Sequence, residues 1–273
     1  MAKLIVVFGA LMTVAFASQR VVVAEQFTAT WCTYCPGASR AHVEIYQRVY
    51  DSLVVIAYHP SSSDPFYSSE AAVRLSYYSV PGYPTSWFDG TIQEVGAMHT
   101  GTMYPYYRNH VTNRLAVSSP LEISLECDYD SVANTGEVTA TVYNSTASPV
   151  AGNIHFVIVE NEIPFNWQGM TQLDFLMRDM LPNANGEAVS VPAGDTIMRS
   201  RDFTVGASWN ELKCKIVVFA QASNKVIYQG SEIALVQEPT MEYYGQYPTE
   251  IAGNGNGVAE PGESVHMSVL AKN

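Results

Sequence analysis

The stretch TATWCTYCP, residues 28–36, constrains this chain more than any other feature. It stands where an apolar, β-branched run, VVVAEQFT at 21–28, gives way to PGASRAHVEIYQRVYDSL. In that second segment Ala41, Ile45, Val49 and Leu53 recur at helical spacing. A strand therefore feeds directly into a helix, with Cys32 and Cys35 at the junction. Pro36 suits the first helical turn, where its missing N–H costs nothing. A helix start presents unpaired N–H groups and the positive end of the macrodipole. A thiolate at Cys32 is stabilised there and becomes nucleophilic, and Cys35, one turn on, is near enough to close a disulfide. Trp31 covers one side of the pair. Zinc would need a second Cys-x-x-Cys or ligands at knuckle spacing, and His42 and His59, the nearby histidines, do not provide it. The pair is thus a redox couple or a static bridge, with no metal and no cofactor required.

At 273 residues the chain exceeds one compact unit, so more than one domain is expected. The first spans 18–119. LVVIAYH (53–59) is a buried strand, and DPFYSSEAAVRLSYYSV is a helix from about Pro65 with Asp64 as N-cap. YPTSWFDGTIQEVG is a hairpin turning at Asp89-Gly90. TMYPYYRNHVTNRLAVS is a helix with Tyr107, Val111 and Leu115 on one stripe. That order predicts an α/β sandwich. From Pro120 the texture changes: LEISLECDYD, GEVTATVYN, GNIHFVIVEN, VSVPAGDTI and KCKIVVFAQ alternate apolar and polar residues between turns. They predict an all-β, immunoglobulin-like sandwich over 120–238. Within it, TQLDFLMRDMLPN places Leu173, Leu176, Met177 and Met180 at helical spacing, which predicts a helical insertion ended by Pro182.

The ends carry their own expectations. MAKLIVVFGALMTVAFASQR has Lys3, an apolar run and an Ala15-Phe16-Ala17 cleavage pattern, so residues 1–17 are expected to be a signal peptide. No cysteine at the cleavage point supports a lipid anchor, and no later run is long enough for a transmembrane helix. The mature chain is expected to be exported, to the periplasm, the outer membrane surface or the medium, where disulfides persist. Cys127 and Cys214 lie on strand-like runs and are candidates for a disulfide across the sandwich. Net charge is −12, and the 14 basic residues form no cluster, which excludes nucleic acid and an anionic membrane surface as partners. Residues 239–273 are expected to be a linker and the start of a further, truncated β domain. There Asn254, Asn256 and Glu260 lack the EF-hand spacing for calcium and read as a glycine-rich turn.

A second motif, VPGYPT at 80–85, lies about fifty residues beyond the cysteines and puts a Pro-Thr pair at the start of a strand. WCTYC and VPGYPT together resemble the thioredoxin superfamily. The resemblance implies a cis Pro84 facing the cysteines, with Trp31, Tyr83, Pro84 and Thr85 seating a polypeptide partner. It implies Cys32 as nucleophile and Cys35 as resolving thiol, acting on thiols and disulfides of envelope proteins. The chain departs from that pattern at Gln26, where such proteins keep a buried aspartate. Glu25 is adjacent, but strand alternation turns it to the other face. His59, at the end of its strand, is either a substitute base or a hydrogen-bonded structural histidine. EQFTATWCTYCPGA, YHPSSSDPFYSSEA, YYSVPGYPTSWFDG, MRDMLPNANGEAVSV and KIVVFAQASNKVIYQG in succession resemble the 28-kDa outer-membrane protein family over about residues 20–236. That resemblance implies an envelope or secreted location. The tail GNGNGVAEPGESVHMSVLAKN resembles the start of surface-protein β-sandwich repeats. Two functions follow: an exported thiol-disulfide oxidoreductase, or a surface or adhesion-type binding protein in which Cys32–Cys35 is structural.

Overall fold

The apolar run after Val21 becomes β1 (Val22–Phe27), and every residue in it is buried. β2 (Leu53–Tyr58) lies parallel on one side, with Val22 opposite Leu53, and β3 (Thr85–Phe88) lies antiparallel on the other, with Phe27 opposite Thr85. The computed structural model describes residues 18–236, 242–252 and 264–272. The expected signal peptide, and Asn254, Asn256 and Glu260, lie outside them. Between the strands run α1 (Cys35–Val49) and α2 (Ser69–Tyr78). After β3 come β4 (Ile92–Val95) and α3 (Tyr104–Leu115). Asp89, Gly90 and Thr91 connect β3 to β4; Asp89 (φ 49°) and Gly90 (φ 61°) are both left-handed, and Thr91 N–H donates to the Phe88 carbonyl at 3.1 Å to close the turn. α2 starts later than its sequence suggests. Its N-cap is Ser68, whose hydroxyl accepts the Glu70 N–H at 3.1 Å, because Asp64 is engaged elsewhere.

The second half supplies β5 (Leu121–Asp130), β6 (Thr135–Asn144), β7 (Val150–Glu160), β8 (Ile163–Trp167), β9 (Met170–Leu173) and β10 (Leu176–Leu181). β11 (Glu187–Val191), β12 (Thr196–Thr204), β13 (Cys214–Gln221) and β14 (Ile227–Ala234) follow. These strands overturn the expected α/β thioredoxin-like sandwich followed by an all-β sandwich. The described chain is mainly β, and a nine-stranded mixed sheet runs through both halves in the order β14-β13-β7-β10-β2-β1-β3-β4, with β11 beside β7. One core explains why the halves merge. Val23, Val54 and Ile56 from the first half pack in the same cluster as Val157, Val217 and Phe219 from the second. Each such side chain contributes roughly 1.5–3 kcal/mol on burial, so the two sets are not independent cores.

The predicted helical insertion is also corrected. Residues 176–181 form strand β10, antiparallel to β7 and joined to β2 at Leu176 opposite Ala57. A register shift between Met177 and Asp179 interrupts its alternation. Across that bulge Met177 and Met180 return to the same face, and both sit in one core cluster. Leu176 is buried on the other side of the strand. A bulged strand covered on both faces therefore imitates helical spacing.

β5, β6 and β12 form a three-stranded sheet. Its Leu121, Val138 and Val142 pack on Ile154, Phe156, Ile216 and Val218 of the large sheet. α1 and α3 cover the first half of the large sheet through Ala38, Ala41, Ile45, Tyr107 and Val111. Arg20 fastens the segment leading into β1: it donates to Asp89 Oδ2 at 3.0 Å, to the Ile227 carbonyl at 2.9 Å and to that of Val117 at 2.8 Å. Residues up to Leu235 belong to one compact unit. From Val236 a second unit contains an antiparallel pair, β15 (Glu242–Ala252) and β16 (Ser264–Lys272).

Candidate functional site

β1 ends at Phe27, and the ladder is prolonged by one bond, from Thr28 N–H to the Tyr58 carbonyl at 3.0 Å. The chain then turns. Cys32 N–H donates to the Ala29 carbonyl at 3.1 Å, and Cys35 N–H to that of Cys32 at 3.3 Å. Cys35 is the first residue of α1, and the two cysteines form a disulfide with their Cα atoms 5.4 Å apart. The geometry expected from spacing is thus present: a sulfur pair at a helix start, where partial positive charge favours any thiolate released on reduction.

Trp31, just ahead of the pair, and Tyr34, between the two cysteines, are about half exposed. The Trp31 ring meets Tyr83 edge-on at 5.8 Å between centroids. The Tyr83–Pro84 peptide is cis. Tyr83 also borders the cluster formed by Ala29, Cys32 and Cys35, so the second motif is brought against the first. Thr85 lies one step further on, buried in β3, with its hydroxyl donating to the Gly82 carbonyl at 2.8 Å. Burial raises the Tyr83 hydroxyl, and the Asp64 charge adds to the effect, so this phenol is neutral and a hydrogen-bond donor at ordinary pH.

The acid–base groups near the pair have structural occupations. Gln26 donates to Ser39 Oγ at 3.0 Å beneath α1. Glu25 points to the opposite face, as alternation requires. There its carboxylate is fully buried, paired with Arg74 at 2.5 Å and bonded to the hydroxyls of Tyr58 and Tyr78. His59 Nδ1 lies 3.1 Å from Asp64 Oδ1, and both residues are buried. Asp64 also accepts Thr30 N–H at 2.5 Å, the Thr30 hydroxyl at 2.9 Å and Phe66 N–H at 2.9 Å. Burial alone would raise this carboxyl. The hydrogen bond and charge of His59, with the two amides, outweigh it and hold Asp64 at about 2. His59 and Asp64 therefore brace the loop leading into Cys32, and of its two sequence alternatives His59 takes the hydrogen-bonded one.

Sequence reasoning missed what covers the disulfide. β8 and β9 form a hairpin, turning at Gln168 (φ 43°) and Gly169 (φ 82°), and it lies over the cysteines. Trp167 and Leu173, 6% and 3% exposed, pack with Ala29, Cys32 and Cys35. Trp167 Nε1 donates to the Gln172 carbonyl at 2.9 Å, which fixes the indole across the hairpin. Phe165 meets Phe66 edge-on at 4.9 Å. As a result Cys32 is 6% exposed and Cys35 is fully buried. The trace in the sequence was the Gln-Gly dipeptide between IPFNW and MTQL, a hairpin turn between short alternating runs.

Cys127 and Cys214 do not form the candidate second bridge; both are free thiols, Cys214 buried in the sandwich core and Cys127 half-buried against it. Burial, then the charge of Asp128, raises Cys127 to about 11. Burial, then the charge of Glu160, raises Cys214 to about 12. Neither has the lowered pKa of a reactive thiol. Among the described residues no group of three or more His, Cys, Asp or Glu side chains is arranged to hold a metal ion, and no helix is long and apolar enough to cross a membrane.

No curated protein matches the sequence. Among solved structures, HBP35 of Porphyromonas gingivalis superposes with a TM-score of 0.65 at 15% identity, over 92% of this chain and 98% of that one. A structural-genomics target from Agrobacterium tumefaciens superposes with a TM-score of 0.55 at 13% identity, over 83% of this chain and 99% of the other. At such identities these likenesses concern the fold alone. Residues 72–237 match the family described as Outer membrane protein Omp28, which places the protein in the cell envelope, and the chain belongs to that family.

Proposed function

We propose that this envelope protein exchanges thiols and disulfides with polypeptide partners through Cys32 and Cys35. The observation that carries the reading is the Cys32–Cys35 disulfide at the start of α1, with half-exposed Trp31 and Tyr34 in the same turn and Tyr83, which precedes a cis proline, packed beside it. From the oxidised form, a partner thiolate attacks Cys32 Sγ. The Cys32–Cys35 bond breaks, and Cys35 leaves as a thiolate and takes up a proton. A second partner thiolate then attacks the partner's own sulfur in the mixed disulfide and releases Cys32. The partner is oxidised by two electrons and this chain is reduced by two. Reversed, reduced Cys32 attacks a partner disulfide and Cys35 resolves the adduct. Of the four residues expected to seat the partner, Trp31 and Tyr83 are the accessible ones and offer it their rings, while Pro84 and Thr85 are buried and shape the loop behind Tyr83.

A second reading has its own support. A pair with exposures of 6% and zero is also what a static staple would look like, in a surface or adhesion-type binding protein. Three measurements separate the readings. Under exchange, the reduced protein turns over insulin, Cys32→Ser abolishes turnover, and Cys35→Ser traps mixed disulfides from envelope extract. A reduction potential below about −300 mV with no insulin turnover would identify the staple.

A further inference from the structure

We propose that the β8–β9 hairpin is a displaceable lid on the Cys32–Cys35 disulfide, and that its opening governs how fast any dithiol reaches the sulfurs. The proposal deepens the exchange reading and rests on it. The hairpin is a separate two-stranded sheet, paired with no strand of the nine-stranded sheet. Lifting it breaks no ladder bond of the main fold. What it covers is the sulfur pair, through Trp167 and Leu173.

Its tip and its base are held differently. At the tip, Gln168 Nε2 donates to the Trp31 carbonyl at 3.3 Å, a long contact, and Arg40 Nη1 donates to Met170 Sδ at 3.3 Å, a thioether and so a weak acceptor. At the base, Glu162 N–H donates to Asp174 Oδ1 at 3.1 Å, and Phe175 N–H to Asn161 Oδ1 at 2.9 Å. Asn161 N–H reaches the Lys213 carbonyl at 3.0 Å, and the Phe175 carbonyl accepts Ala57 N–H at 2.7 Å. Glu162 (φ 54°) and Phe175 (φ 58°) bracket the hairpin, and both adopt the left-handed conformation. A lid with a clamped base, a weakly tied tip and unusual backbone at both connections is built to swing about those connections. It also reconciles a buried pair with exchange, since the observed rate is then the open-state rate multiplied by the open fraction.

The test is the rate at which dithiothreitol reduces Cys32–Cys35 in the full chain, quenched with iodoacetamide and read by mass spectrometry of the peptide holding both cysteines. The reagent's thiolate attacks Cys32 Sγ, Cys35 leaves, and the reagent's second thiolate closes a cyclic disulfide and frees Cys32, delivering two electrons. Trp167→Ala removes the side chain packed on the sulfurs and is expected to raise the rate about tenfold or more. Gln168→Ala, which leaves that packing intact, is expected to raise it less. A folded Trp167→Ala protein reduced at the wild-type rate overturns the lid. If Trp167→Ala loses its native circular dichroism, Gln168→Ala decides, and an unchanged rate there overturns it equally. Insulin turnover is scored separately. Fast reduction of Trp167→Ala with no insulin turnover by any form keeps the lid and removes the oxidoreductase. Insulin turnover with a rate of disulfide reduction that ignores both substitutions does the reverse.

Discussion

Asp64 accepts the backbone N–H of Thr30 at 2.5 Å and its hydroxyl at 2.9 Å, two residues ahead of Cys32. One buried carboxylate thus ties the loop after β2 to the loop that carries the disulfide. Asp64→Ala would orphan both Thr30 groups, the Phe66 amide and the His59 ring, and should cost about 2–4 kcal/mol in urea unfolding. The pH dependence has a definite sign. The folded carboxyl sits at about 2, below its ordinary 3.8. Its contribution is therefore complete above the unfolded value and is lost as pH falls toward 2, by about 2 kcal/mol. The gap in urea midpoint between wild type and Asp64→Asn should narrow as pH falls from about 5 to about 2. A gap that widens on acidification would show that the ionised carboxylate is not what braces the loop.

Glu25 and Arg74 form a buried ion pair between β1 and α2, with Arg74 also donating to Gln221 Oε1 of β13 at 3.0 Å. Arg74→Met leaves Glu25 charged, buried and short of its main partner, and should destabilise by about 3–5 kcal/mol. Adding Glu25→Gln removes the stranded charge and should restore a large part of that loss. Guanidinium unfolding of the two single variants and the double gives the coupling directly. Additive losses would mean that the pair does not act as a unit.

The difference between what the sequence disclosed and what it hid follows the range of the interactions. The start of α1 at the Cys32–Cys35 motif and the Asp89-Gly90 turn depend on neighbours a few residues apart, and they were legible; the start of α2 was not, because Asp64 is drawn away to Thr30 and Ser68 caps the helix instead. The sheet shared by both halves was not. Joining β10 to β2 rests on Leu176 meeting Ala57, and local patterning carries no trace of that pairing. The bulge at Met177–Asp179 then turned a strand's spacing into a helix's. The lid was hidden for the same reason. Trp167 reads as one apolar residue in a short run, and only the tertiary fold sets it on Cys32.

Thiol chemistry should separate the four cysteines cleanly. With Cys127 at about 11 and Cys214 at about 12, each is on the order of one part in a thousand thiolate, or less, at pH 8. Native, unreduced protein should react with an aromatic disulfide reagent only slowly, and in urea the same two thiols should react at once. After mild reduction Cys32 should label ahead of both. Fast native labelling of Cys214 would contradict its burial.

Gly90 tests how the two halves of the sheet meet. Its φ is +61°, and a Cβ built there would lie 1.9 Å from the Lys225 carbonyl oxygen, in the turn before β14. Beside it the Asp89 carbonyl accepts Ile227 N–H at 2.9 Å, so the β3–β4 turn and the β13–β14 turn touch backbone to backbone. Gly96 is the control: its φ is +84°, but nothing lies within 4 Å of a Cβ. Gly96→Ala meets only the left-handed conformational penalty, about 1–2 kcal/mol. Gly90→Ala meets that penalty and must also push two turns apart, which should bring the loss to about 3 kcal/mol or more. Urea midpoints at constant slope measure both. Equal losses would mean that the turns separate freely and that this corner does not hold the halves together. A markedly larger loss at Gly90, with a single unfolding transition, is what one cooperative nine-stranded sheet joining the two halves requires.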